Sequence, residues 1–244
     1  DNKNGQAKMK QKDFVIAAMI ELGGAATLSQ LYSATDVSSW STKTPFASIR
    51  RIVQENAEFF KIRPGLWGLK SLETQILKEF ESGTNPRDSF THSYFQGLIV
   101  EIGNLRKFQT YVPPQDKNKS FVASKKLDDL TSLKAIYEFA YPSILNKARS
   151  VDAIWFNERN LPYAFFEVEH STDFKNSLNK FYELQDFNAK MFIVADEGRL
   201  RQFQSVISAS IYKDIAGSVK FAGYESIAKQ YDLESESAKI KMGI

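Results

Sequence analysis

The sequence of 244 residues contains no cysteine. This absence excludes disulfide bonds, thiolate zinc sites and cysteine nucleophiles. Histidine is almost as scarce, because His92 and His170 are the only two, and two imidazoles cannot build a histidine-rich metal site. The sequence also lacks any apolar run approaching the ~20 residues that a membrane-spanning helix needs. We therefore expect an intracellular protein without a membrane segment.

A strong excess of one charge is lacking too. The 32 Lys and Arg residues nearly balance the 29 Asp and Glu residues, and the formal net charge is +3. Such a balance identifies no polyanionic partner by itself, so any argument for nucleic acid must rest on local patches. The hydrophobic content of 43% is enough to build the core of one large domain or of two modest ones.

The most informative pattern present is a predicted β-hairpin that carries three acidic residues. Residues 150–156 and 163–170 are rich in aromatic and β-branched residues and are separated by turn-forming residues. This spacing pairs Asp152 with Glu167, and the alternation of side chains along a strand places Glu169 on the same face as Glu167. Three carboxylates in one patch are costly unless a cation lies there, and a hard divalent cation is the expected one.

The first 72 residues predict three helices followed by a hairpin, an order typical of a winged helix. Helices are expected at residues 12–22, after Thr27 and after Thr44, with a hairpin over residues 59–69. The third helix would face DNA. The side chains that we assign to DNA binding are Lys43, Thr44, Ser48, Arg50, Arg51, Gln54, Arg63 and Trp67. Two alternatives stay open: an ordinary solvated helix face, and a tryptophan that packs inward.

Three runs in this region carry a family resemblance: Thr44-Pro45-x-Ala47-Ser48-Ile49-Arg50-Arg51-Ile52-Val53-Gln54, Phe59-Phe60 and Arg63-Pro64-Gly65-Leu66-Trp67-Gly68-Leu69. The segment resembles the HARE-type winged-helix family, which occurs in chromatin regulators, an RNA polymerase subunit and bacterial restriction endonucleases. The resemblance covers about residues 10–70. It implies a module that faces duplex DNA and can be sensitive to base modification.

A polar, turn-forming stretch predicts a linker over residues 73–89, between a domain at 1–72 and a second domain at 90–244. We predict an α+β protein of two domains. The second domain is expected to follow the order helix, strand, strand, strand, helix, strand, beginning with a helix at 89–106. A further helix is predicted over residues 127–141, inserted before the acidic hairpin.

This αβββαβ order, together with Asp152-Ala153-Ile154-Trp155 and Phe166-Glu167-Val168-Glu169-His170-Ser171-Thr172, resembles the PD-(D/E)XK nuclease superfamily. The sequence departs from the common motif because Glu169 stands where lysine is usual, although some restriction endonucleases carry Glu or Gln there. The resemblance implies that Asp152 and Glu167 bind Mg²⁺, with Mn²⁺ able to substitute, and that the Val168 carbonyl adds an oxygen ligand.

Other residues receive roles only through this resemblance. Glu169 would bind a second ion or accept the proton of the attacking water. Glu101 would reach the site from the first helix, or else be a solvated glutamate. His170 would be an auxiliary group near a phosphate, or else make a structural hydrogen bond. Lys175 and Lys180, on the helix after the hairpin, would face DNA or carry ordinary solvated charge.

The resulting functional expectation is a metal-dependent endodeoxyribonuclease of the type II restriction kind that acts on double-stranded DNA in the cytoplasm of a bacterial or archaeal cell. A homodimer is expected because cutting both strands most simply uses two active sites. One alternative is a DNA-binding regulatory protein with a degenerate nuclease domain, and another is a nuclease for RNA or damaged DNA. For the acids themselves, the alternative is an ion-pair network with Arg149 and Arg159.

Overall fold

The computed structural model describes residues 9–81, 86–122, 124–171 and 173–241. The chain divides into two compact units, residues 1–79 and 80–244. Helices and strands are mixed in both, so the predicted α+β class is confirmed. Within the described ranges, no helix combines the length and the apolar character that crossing a membrane requires.

The first unit contains the predicted three helices and hairpin. Its elements are α1 (Gln11–Glu21), β1 (Ala25–Thr27), α2 (Leu28–Ala34), α3 (Pro45–Glu55), β2 (Phe59–Arg63) and β3 (Leu66–Leu69), followed by α4 (Glu73–Glu81). The Thr27 hydroxyl caps α2 by accepting a hydrogen bond from the Gln30 amide, and Pro45 begins α3. The apolar stripe of α3 is buried in the core of this unit.

Strand β1 is an element of this unit that the sequence pattern did not predict. It has only three residues, too few to show an alternating pattern, and it pairs antiparallel with β3 through Ala25 and Gly68. The resulting sheet has the order β1-β3-β2. The hairpin therefore belongs to a three-stranded sheet.

The second unit is built on a five-stranded sheet. Its elements are α5 (Pro86–Leu105), β4 (Gln109–Tyr111), α6 (Leu127–Leu130), α7 (Pro142–Ala148), β5 (Ala153–Phe156), β6 (Pro162–Val168), α8 (Lys175–Glu183), β7 (Lys190–Ala195), α9 (Leu200–Ile207), β8 (Val219–Gly223) and α10 (Tyr224–Lys241). The strand order is β4-β5-β6-β7-β8. Strands β4, β5 and β6 pair antiparallel, whereas β6, β7 and β8 pair parallel. Leaving out α6 and α7, the order from α5 to β7 is the predicted one.

The predicted helix over residues 127–141 is wrong. Only Leu127–Leu130 is helical, because the following residues bond to β4: the Ser132 hydroxyl accepts from the Thr110 amide at 2.7 Å, and the Leu133 amide donates to the Thr110 carbonyl. Pro142 begins α7, as the absence of its amide hydrogen allows at a first helical position.

One boundary also differs from the sequence predictions. The stretch that we predict as a linker contains α4 and the start of α5, and residues 82–85 lie outside the described ranges. Helix α8 has Phe174 at its N-cap position.

Candidate active site

The acidic hairpin has the register that the sequence predicts. Ala153 pairs with Phe166 across β5 and β6, which sets Asp152 opposite Glu167. The Asp152 amide donates to Glu167 Oε1 at 3.2 Å. Glu167 and Glu169 are almost completely buried, with 3% and 6% of their surface exposed. Sequence reasoning therefore located this carboxylate cluster correctly.

Ser177 of α8 joins the two glutamates. Its hydroxyl lies 2.9 Å from Glu167 Oε2 and also contacts Glu169 Oε1. A serine hydroxyl has one proton, so it can donate to only one of two carboxylates. Ser177 therefore holds Glu167 and Glu169 next to each other.

Lys180 supplies the cation of the cluster. Its ammonium nitrogen lies 2.9 Å from each Glu167 oxygen and 2.8 Å from the Ser150 carbonyl oxygen. The two arginines of the ion-pair alternative lie elsewhere: Arg149 donates to Asn146 from the end of α7, and Arg159 belongs to the exposed turn of the hairpin. Lys180 is therefore an internal partner of Glu167, and not the DNA-facing or solvated lysine of the sequence interpretation.

His92 of α5 holds Asp152 from the other side. His92 Nε2 lies 3.1 Å from Asp152 Oδ2, and the Val168 amide donates to the same oxygen at 2.8 Å. The Gln96 side chain donates to the Asp152 carbonyl oxygen at 2.5 Å. The aspartate is thus fixed through both its side chain and its backbone.

Sequence reasoning missed His92, although a signal was present. His92 lies three residues before Phe95 and seven before Ile99, so it extends the apolar stripe of α5 by one turn. A histidine at the end of such a stripe points toward the same sheet as the apolar residues. The stripe therefore predicts contact with the strands of the acidic hairpin.

Glu101 does not join the cluster. Helix α5 runs alongside β5, with His92 and Gln96 at Asp152 and the Ile99 carbonyl at the Trp155 indole. Nine residues of helix separate Glu101 from His92, which corresponds to about 13 Å along the axis. Burial raises the pKa of Glu101, and the positive charge of Lys125 opposes that rise.

His170 lies beyond the end of β6 and makes structural contacts. Its Nδ1 is 3.4 Å from the Tyr224 hydroxyl, and its carbonyl oxygen accepts from Arg199 at 3.0 Å. These contacts favour the structural interpretation of this residue over the auxiliary one.

The electrostatics of the cluster separate the two facing acids. Burial, and then the charge of Asp152, raise the pKa of Glu167 to about 8, against the opposing effects of Lys180 and Ser177. Burial would also raise the pKa of Asp152, but the hydrogen bond and charge of His92 hold it below its usual range. Burial opposes protonation of His92, yet the bond to Asp152 raises the His92 pKa. Asp152 is consequently the more anionic of the two acids.

The donor set fits a hard cation that keeps most of its water. Asp152 and Glu167 offer two carboxylates, and the adjacent Val168 carbonyl is a further oxygen that could complete the set. Among the described residues, no three His, Asp or Glu side chains form a group able to enclose a metal ion. A closed cage of protein ligands is therefore not built here, whereas Mg²⁺ usually takes one or two carboxylates and several waters.

The side chains that we assign to DNA binding lie on α3, just before it, and on the hairpin of β2 and β3. Four are exposed, namely Lys43, Thr44, Arg51 and Gln54, and four are half-buried, namely Ser48, Arg50, Arg63 and Trp67. Trp67 packs against the core of the first unit, which favours the structural alternative for part of its ring. Arg63 donates to the neighbouring Ile62 carbonyl at 2.8 Å.

The fold and site together define an α+β domain with a buried carboxylate cluster, held by a histidine and a lysine, at the junction of antiparallel and parallel strands. Residues 76–243 match the family model described as the type II restriction enzyme NmeDI C-terminal domain, and the chain belongs to this family.

This chain is also similar to a curated protein, the type II restriction enzyme NmeDI of Neisseria meningitidis serogroup C. The two sequences are 27% identical over 153 residues. The match covers 58% of this chain and 42% of the relative, so this chain spans well under half of that protein. No solved structure matches significantly.

Proposed function

We propose that this chain is a metal-dependent endodeoxyribonuclease of the type II restriction kind, which hydrolyses phosphodiester bonds of duplex DNA. The observation that carries the proposal is the pairing of the half-buried Asp152 with the buried Glu167, placed side by side by the hairpin register. Membership of the restriction-enzyme family supports the same reaction class. We further propose that the domain is a Glu-x-Glu variant of the PD-(D/E)XK superfamily.

In this proposal Asp152, Glu167 and the Val168 carbonyl hold Mg²⁺, with Mn²⁺ able to substitute. The ion would supply acidification of a water and neutralisation of charge on the phosphate. His92 and the Val168 amide orient Asp152, so that its other oxygen, Oδ1, can face a ligand. Glu169, held by Ser177, accepts the proton of the attacking water.

We propose that the first unit is a HARE-type winged helix that contacts duplex DNA through α3. The exposed Arg51 and Gln54 side chains suit phosphates and base edges, respectively. Lys43 and Thr44 precede α3, where a helix N-terminus favours a phosphate. Sensitivity to base modification is part of this proposal.

Cutting both strands most simply requires two copies of the site, and we propose a homodimer. Sedimentation of the protein with a duplex and Ca²⁺ would measure the assembly. A single copy per duplex at all concentrations would contradict the dimer.

The reaction is tested by incubating the protein with a mixed pool of long duplex DNA, prepared with and without base methylation, in Mg²⁺, Mn²⁺ or EDTA. We expect discrete fragments with either metal and intact DNA in EDTA, and Asp152→Asn should abolish cutting. Binding without cutting under every condition would favour the regulatory alternative. Cutting confined to RNA or to damaged duplexes would favour the third hypothesis.

A further inference from the structure

The ammonium group of Lys180 is bonded to the carboxylate of Glu167, which the proposed function assigns as a metal ligand. It lies 2.9 Å from both oxygens of Glu167, while a third bond of 2.8 Å reaches the Ser150 carbonyl. All three donors of a lysine ammonium are thereby used. Glu167 is therefore paired with a cation that the chain itself provides.

A divalent ion and this ammonium group cannot share Glu167 without strong repulsion. An Mg²⁺–oxygen bond is about 2.1 Å long, so an ion on either Glu167 oxygen would lie within about 5 Å of the lysine nitrogen. Two positive charges that close, in a site that is largely shielded from water, disfavour each other. The ammonium group has to withdraw for the ion to bind well.

We propose that Lys180 is a tethered cation that competes with the divalent ion for Glu167 and so weakens metal binding by the DNA-free protein. The inference rests on the proposed function, because it takes Glu167 as a metal ligand. The structure provides the means of withdrawal: the long side chain of Lys180 is 24% exposed, so its end can swing toward solvent.

The competition makes a prediction opposite to that of a merely structural ion pair. If Lys180 only supported the site, its loss would disorder Glu167 and weaken metal binding. If Lys180 competes, its loss leaves Glu167 facing Asp152 and Glu169 without its own paired cation, and metal binding strengthens. The sign of one change in affinity therefore separates the two roles.

The experiment titrates Mn²⁺ into the EDTA-treated, dialysed 244-residue chain without DNA, with free Mn²⁺ measured by electron paramagnetic resonance. Lys180→Met and Lys180→Gln should each lower the dissociation constant by about 5- to 150-fold, the usual range of coupling between two sites. Lys175→Met is the matched control, because it removes the same charge from an exposed position on the same helix. It should change the constant less than about twofold.

Unchanged or weaker Mn²⁺ binding in both Lys180 variants would overturn the proposal. Mn²⁺ binding by Glu167→Gln separates a failure of the competition from a failure of the proposed function. If Glu167→Gln leaves Mn²⁺ binding intact, the ligand assignment itself is wrong. If it abolishes binding while the Lys180 variants bind no more tightly than the wild type, only the competition is wrong. Circular dichroism of each variant shows whether it is folded. Lys180→Gln removes the charge but keeps a polar side chain, so a folding defect of Lys180→Met would not be mistaken for a change in metal affinity.

Discussion

The stability of the metal-free second unit should fall as the pH rises from 5 to 8, because Glu167 prefers to be protonated in the folded state. Its pKa is raised from 4.5 to about 8 by burial and by the charge of Asp152. An acid with a raised folded-state pKa binds its proton more tightly in the folded than in the unfolded protein, so deprotonation favours unfolding. The loss begins near pH 4.5 and is complete above about pH 8.

The magnitude follows from the size of the pKa change. Each tenfold change in proton affinity corresponds to about 1.4 kcal/mol, so the rise from 4.5 to about 8 costs about 5 kcal/mol in full and about 3 kcal/mol by pH 7. The raised pKa of His92 adds a loss of the same sign, since stability present below its ordinary value disappears as that histidine deprotonates. The lowered pKa of Asp152 acts only in more acidic solution.

The assay is urea unfolding in EDTA at pH 5, 6, 7 and 8. The sequence has three tryptophans, and replacing Trp40 and Trp67 by Phe leaves only Trp155. Tryptophan fluorescence then reports the unfolding of the second unit alone. We expect the free energy of unfolding to decrease by about 3–5 kcal/mol across this range, and Glu167→Gln to flatten most of the decrease. Stability that is constant or rises with pH, or that falls equally in Glu167→Gln, would refute the reasoning.

Three further substitutions test particular contacts. His92→Ala should lower the rate of DNA cleavage about tenfold or more by freeing Asp152, measured in Mg²⁺ time courses, whereas an unchanged rate would show that Asp152 is held without it. Glu101→Gln should cut DNA within about twofold of the wild-type rate, and a large loss would return this residue to the site. Gly103→Ala should lower the free energy of unfolding by about 1–3 kcal/mol in a urea titration, because the new Cβ would lie 2.5 Å from the Trp155 indole nitrogen; unchanged stability would show that the helix shifts freely.

The hairpin was predictable because a short turn and a two-residue repeat determine its register. The facing positions of Asp152 and Glu167 follow from these two features. The stripe of α3 and the proline at its start likewise follow from local chemistry. These features need no knowledge of the rest of the chain.

The partners of the carboxylates depend on packing between distant segments. Lys180 is 13 residues from Glu167, and His92 is 60 residues from Asp152, so neither contact follows from a local pattern. For residues 131–141 the sequence predicts a helix that does not form. Their helical composition is overridden by hydrogen bonds to β4. Tertiary contacts decide in each of these cases.

The central claim is that Glu167 belongs to a metal-dependent cleavage site, and cleavage of duplex DNA by Glu167→Ala in Mg²⁺ tests it most directly. Circular dichroism should show that the variant is folded, and wild-type protein should convert the DNA into discrete fragments under the same conditions. We predict that Glu167→Ala leaves the DNA intact at protein concentrations that give complete wild-type digestion. Metal-dependent fragments from the folded Glu167→Ala protein would contradict the account.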